Sequence, residues 1–146
     1  PQLRRDLTGG PFIKLYLRGY EMKYLQAVKE FHEALGLPIG DRPQNIDLKS
    51  FARRVRLIAE ELSEYAEAVS NSDVIGIADG LADILYNVFG TAIEHGLPMD
   101  EIFRQVHKSN MTKVNGHMDD SGKWIKPDDY EPVNLKWLLH YGPYRK

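Results

Sequence analysis

At 146 residues with 42% hydrophobic content, the chain suits one domain with its own core and is short for two. A formal net charge of -2 and a pI near 6.2 give no reason to expect nucleic acid or a membrane surface as a partner. The absence of cysteine excludes disulfides and thiolate metal sites and is compatible with a reducing cytoplasm, the expected location.

Residues 1–19 carry three glycines and read as a poorly defined segment with a short extended piece over Phe12–Leu17. Residues 20–146 read as one helical domain. No apolar run is expected to reach the roughly 18 residues of a membrane span, and the N-terminus lacks a signal-peptide core. From about Glu21 to Leu35, the residues Met22, Leu25, Val28, Phe31 and Leu35 recur at three and four. That spacing predicts a first amphipathic helix, stopped by Gly36 with Pro38 beyond. A loop through Pro43 leads to Asp47, the predicted N-cap of the second helix. There Phe51, Val55, Ile58, Leu62, Tyr65 and Val69 form an unbroken apolar stripe until Asn71. A third helix is predicted from about Asp73 to Glu94, ending near Gly96-Leu97-Pro98. The fourth begins near Pro98 or Met99, where Asp100 and Glu101 suit a helix N-terminus, and fades near Val114. Asn115–Lys146 is rich in glycine, proline, aspartate and tyrosine, and predicts a loop-rich tail with a small hairpin around Trp124. Four helices with short connections predict an all-α fold, a four-helix bundle.

Two acidic clusters stand out, Glu60-Glu61-Leu62-Ser63-Glu64 on the second helix and Asp79-Gly80-Leu81-Ala82-Asp83 on the third. At about 100° per residue, Glu60 and Glu64 share one face and Asp79 and Asp83 another. Packed antiparallel, the two helices are expected to bring five carboxylates around one point. Like charges at that density need cations, and hard oxygen donors suit Mg²⁺ or Mn²⁺. The plain alternative is a solvated face on which Arg53, Arg54 and Arg56 neutralise the glutamates. A di-iron bundle would need Glu-x-x-His on two helices, and that spacing is absent. Gly76, Gly80 and Gly90 cost helix stability at roughly 1 kcal/mol each, so close approach of a ligand or of another helix is expected along them.

Arg56-Leu57-Ile58-Ala59-Glu60-Glu61-Leu62-Ser63-Glu64, followed by Asp79-Gly80-Leu81-Ala82-Asp83-Ile84-Leu85-Tyr86, resembles the MazG-like all-α nucleoside triphosphate pyrophosphohydrolases. That group includes phosphoribosyl-ATP pyrophosphohydrolase, and its pattern is Glu-Glu-x-x-Glu, a spacer, then Glu-x-x-Asp. The resemblance runs on through Tyr86–Ala92 and Val106–Lys113, and faintly through Phe31-His32 and Lys126-Pro127-x-x-Tyr130-x-Pro132. The tail looks most like phage and mobile-element members. At position 80 the chain has glycine where the family usually has glutamate, and the nearest acid is Asp79.

The resemblance implies Mg²⁺-dependent hydrolysis of a nucleoside triphosphate, a deoxynucleotide for preference, to the monophosphate and pyrophosphate, in nucleotide-pool housecleaning. It makes Glu61, Glu64 and Asp83 the primary metal ligands, with Asp79 a fourth. Glu60 would serve a second ion or orient the attacking water, so that Glu60 and Glu61 are the catalytic pair. Asn87, Lys108, Asn110 and Lys113 are candidates for holding the substrate, and His32 with Tyr130 for a base pocket. The other readings are a dUTPase or a phosphoribosyl-ATP hydrolase on the same scaffold, or an inactive helical interaction module. A homodimer or larger homo-oligomer is expected, because both central helices carry apolar arcs wider than one neighbour needs.

Overall fold

The computed structural model describes residues 23–142. In chain order these form α1 (Tyr24–Leu35), α2 (Leu48–Ser70), α3 (Val74–Glu94), α4 (Met99–Met111), β1 (His117–Met118), β2 (Trp124–Ile125) and α5 (Leu135–His140). The architecture is all-α with a loop-rich C-terminal tail. The extended piece expected over Phe12–Leu17 and the expected start of α1 at Glu21 lie outside the described residues.

Local chemistry sets the boundaries. Asp47 caps α2, accepting from Ser50 N–H at 2.9 Å and Ser50 Oγ at 2.8 Å, and these bonds hold its pKa below the ordinary value. Gly36 and Gly96, at φ of 63° and 65°, close α1 and α3 in the left-handed region. In both closures the next N–H reaches back over the last turn, Leu37 to His32 O at 2.8 Å and Leu97 to Ala92 O at 2.9 Å. The same closure ends α2 with Ser72 in the glycine's place, at φ 54°, and Asp73 N–H bonded to Ala68 O at 2.9 Å. Asp73 then caps α3 by accepting from Ile75 and Gly76 N–H, each at 3.1 Å.

The Asn71–Asp73 turn sends α3 back antiparallel to α2, and this pair makes the most extensive contact among the described elements. Its seam is built of rungs. A Cβ on Gly76 would stand 3.0 Å from Ala68 Cβ, and one on Gly80 would stand 3.1 Å from Tyr65 Cβ. Further along, Asn87 meets Glu61, Arg54 meets Thr91, and Arg53 meets Glu94. The glycines of α3 are therefore explained by close approach of a helix.

Two expectations are corrected by this arrangement. The face α2 turns to α3 is Arg54, Glu61, Tyr65 and Ala68, whereas Phe51, Val55, Leu62 and Val69 of the expected core stripe are exposed in the single chain. Leu81 and Leu85 of α3 are exposed as well. The second concerns α3, which is long and apolar enough to cross a membrane by length and composition. Asp79 and Asp83 interrupt it, and α2 and α1 pack against it.

On its other side α3 receives α1, where the Tyr24 and Phe89 rings stack at 6.4 Å and Phe31 meets Tyr86 edge-on at 5.7 Å. The 40–44 loop is tied to the end of α3, Gly40 N–H to Ile93 O at 2.8 Å and Gln44 N–H to His95 O at 3.0 Å. Buried Val28, Ala92, Ile93 and Ile102 mark the core around that end. In the tail, β1 and β2 pair antiparallel with Met118 opposite Trp124, as the sequence predicts. The helix α5 was not expected; it is capped by Asn134 and buries Leu138. Six residues are too few to leave a periodic signal.

Candidate functional site

Along the α2–α3 seam the acids occupy successive rungs. Asn87 Nδ2 donates to Glu61 Oε1 at 3.3 Å. Partial burial, then the charges of Asp83 and Glu64 and, more weakly, Glu60, push the Glu61 pKa up, against a smaller lowering by Asn87. One turn toward the Asn71 end, Glu64, Glu67, Asp73 and Asp79 line a groove of about 440 Å³ whose wall includes Gly76 and Gly80. The structure thus brings Glu64 and Asp79 to one groove, and Glu61, Asp83 and Asn87 to the next rung.

The expected gathering of five carboxylates around one point is not what the structure contains. Among the described residues no three acidic or histidine side chains stand close enough to share one ion. The donor set itself fits a hard divalent cation, since it is all carboxylate with an amide alongside.

The arginines on α2 leave these acids unneutralised. Arg53 Nη2 grips both oxygens of Glu94, at 2.8 and 2.9 Å, and Arg54 Nη1 lies 3.7 Å from the same carboxylate. The Glu94 side chain is 2% exposed and the Arg54 side chain 8%. Arg54 also donates from Nε to Thr91 Oγ1 at 3.0 Å and from Nη2 to the Asn87 carbonyl at 2.5 Å. Burial draws its pKa down, while Glu94 acts against that. Among the described residues only Arg56 pairs with the cluster, lying 3.6 Å from Glu60, with both side chains largely in solvent. Glu61, Glu64, Asp79 and Asp83 make no ion pair among the described residues.

The remaining candidates divide. His32 is buried, its Nδ1 3.0 Å from Pro38 O and its Nε2 3.0 Å from where a Gly90 Cβ would stand. That puts it in the core between α1 and α3, away from any open base-binding surface. Lys108 and Asn110 are exposed on the last turns of α4, and Lys113 Nζ donates to Asn110 Oδ1 at 2.6 Å just beyond. Tyr130 is docked against the same region, its Oη 3.4 Å from Ser109 Oγ. Sequence reasoning missed the Arg54–Glu94 pair and gave no role to Lys126 beyond the faint tail match; its Nζ lies 4.2 Å from the Tyr130 ring centroid. The periodicity does hold a signal for the first, since Arg54, Glu61, Tyr65 and Ala68 fall on one helical row.

Comparison with known proteins places the chain beside a family and a viral relative. A family model for phosphoribosyl-ATP pyrophosphohydrolase matches residues 28–110, which span α2, α3 and the acidic rungs. An uncharacterized protein of Acanthamoeba polyphaga mimivirus is 33% identical over 84 residues, 51% of this chain and 32% of that protein. The chain thus spans about a third of the length of this curated relative.

Proposed function

The chain belongs to the phosphoribosyl-ATP pyrophosphohydrolase family, and from that premise we propose that it hydrolyses a nucleoside triphosphate, with a deoxynucleotide preferred, to the monophosphate and pyrophosphate. The family lies in the MazG-like all-α superfamily, and its members are hydrolases acting on acid anhydrides. The observation that carries the reading is the set of unpaired acids. Among the described residues Glu61, Glu64, Asp79 and Asp83 stay without cationic partners while Arg53 and Arg54 are committed to Glu94. Neither arginine is left to neutralise them, as the reading of a plain solvated face required.

In this reading Glu61, Glu64 and Asp83 hold Mg²⁺, or Mn²⁺, with Asp79 as the fourth ligand. The ions would neutralise charge on the phosphate oxygens and activate water for attack on phosphorus. Glu60 is exposed at the edge of the cluster and orients that water or serves a second ion. Asn87 fixes one oxygen of Glu61 and leaves the other for a cation. Lys108, Asn110 and Lys113 offer cationic and amide donors to the phosphate chain. The exposed apolar residues of α2 and α3 give a second copy of the chain a surface to cover, which supports a homodimer.

Pyrophosphate release from a panel of dNTPs, NTPs, dUTP and phosphoribosyl-ATP, with Mg²⁺, with Mn²⁺ and with chelator, tests the proposal. Metal-dependent release from at least one of these is the expected result. No release from any of them would favour the inactive helical module, to which Gly80 in the glutamate's position already points.

A further inference from the structure

The tail is fastened to the end of α4 by a set of hydrogen bonds that also brings two lysines to one ring. Buried Ser109 donates from Oγ to Glu131 O at 2.8 Å, and Glu131 N–H donates to Thr112 Oγ1 at 3.0 Å. Trp124 Nε1 donates to Lys113 O at 2.9 Å. With the tail so placed, Lys113 Nζ stands 5.7 Å and Lys126 Nζ 4.2 Å from the centroid of the Tyr130 ring. Neither ammonium makes an ion pair among the described residues, although Asp128, Asp129 and Glu131 are near in sequence. The Ser109 hydrogen bond first, and after it the charges of Lys126 and Lys113, lower the Tyr130 pKa. All three residues lie beyond the matched segment 28–110.

We infer that Lys113 and Lys126, gathered over the Tyr130 ring, form a binding site for a polyphosphate anion, and that Lys126 is a substrate-binding residue. Two ammonium groups drawn to one ring add their positive potential there, and a polyphosphate anion long enough to reach both is favoured by it. The ring face offsets part of that potential meanwhile. This gives Tyr130 a different task from stacking on a base, since the ring is already occupied by cations. The identity of the anion, the phosphate chain of the nucleotide or the pyrophosphate released, rests on the pyrophosphohydrolase reading.

Calorimetric titration of the full chain with inorganic tripolyphosphate, in chelator so that no metal takes part, tests this directly. Each of Lys113→Met and Lys126→Met is expected to weaken binding by about tenfold, the worth of one charge-assisted hydrogen bond. Lys126→Arg should restore most of it, Tyr130→Phe should keep it, and Lys29→Met on α1 should leave it unchanged. Circular dichroism confirms that each variant is folded. If the parent does not bind, or Lys126→Met binds as tightly as the parent, the inference is overturned. Lys126-dependent binding in a protein that hydrolyses no nucleotide would sink the pyrophosphohydrolase reading and leave the anion site standing. Hydrolysis with tripolyphosphate binding insensitive to Lys126 would do the reverse.

Discussion

Asn87 holds Glu61 with one end and Arg54 with the other. Its side-chain amide donates to Glu61 Oε1 at 3.3 Å, while its backbone carbonyl accepts from Arg54 Nη2 at 2.5 Å and from Thr91 Oγ1 at 2.8 Å. The buried Arg54–Glu94 pair and the acidic rungs thus share a single residue of α3, and the position of Glu61 depends on a network one turn away.

Metal binding is the first prediction. Mg²⁺ or Mn²⁺ at about a hundred times its Kd should add about 2.7 kcal/mol of stability and raise the melting temperature by roughly 5–10 °C. Glu61→Gln should lose most of that response, and calorimetry of both proteins with and without metal measures it. The metal-free protein carries a pH signature as well. Because the folded pKa of Glu61 is raised, its contribution is fully present below the unfolded value and is lost as pH rises through the folded one. Metal-free parent should therefore lose stability across that window, and Glu61→Gln should flatten the loss.

The exposed α2 stripe predicts self-association. Sedimentation at micromolar concentration should give a dimer or larger species, and Phe51→Ser with Val55→Ser should shift it toward monomer. Both side chains are already exposed in the single chain, so the monomer should remain helical. A parent that sediments only as monomer would contradict this.

Asp79 is expected to carry part of the task of the family's glutamate. It shares the acidic groove with Glu64, and its side chain is one methylene short of a glutamate's reach. Asp79→Asn should lose less pyrophosphohydrolase activity than Asp83→Asn. Equal activity of Asp79→Asn and parent, with Asp83→Asn dead, would make Asp79 a surface residue. Gly80→Glu would not be a clean restoration, because its Cβ would meet Tyr65 Cα at 3.2 Å and press the helices apart. A lower melting temperature is the expected result.

Gly90→Ala should destabilise the chain by about 1–3 kcal/mol in urea unfolding, as overpacking does. The new methyl would stand where the Arg54 guanidinium now lies, with His32 Nε2 3.0 Å away. A variant as stable as the parent would mean that Arg54 moves without cost, against its burial.

Helix ends were legible because caps are local chemistry. Asp47, Gly36 and Gly96 each act within a few residues of their place in the chain. The acidic clusters were legible for the same reason, since helical spacing alone puts Glu60 with Glu64 and Asp79 with Asp83. Which face of α2 meets α3 was not. The Phe51–Val69 stripe announces an apolar surface without naming its partner, and the intrachain seam is made instead by glycines against Ala68 and Tyr65 and by a buried arginine. Arg54 and Glu94 lie 40 positions apart, and their pairing depends on the register of two helices that no short window contains. A role for Lys126 was missed because its neighbours are supplied by the docking of the tail on α4.

The α2–α3 hairpin is closed at both ends, by the Asp73-capped turn and by the double grip of Arg53 and Arg54 on Glu94. Between those fixed points neither helix can slide, so the carboxylates cannot relieve their repulsion by a slip in register. An arriving cation meets two helices whose backbone positions are already set, and only the carboxylate side chains have to swing from their separate rungs to share it.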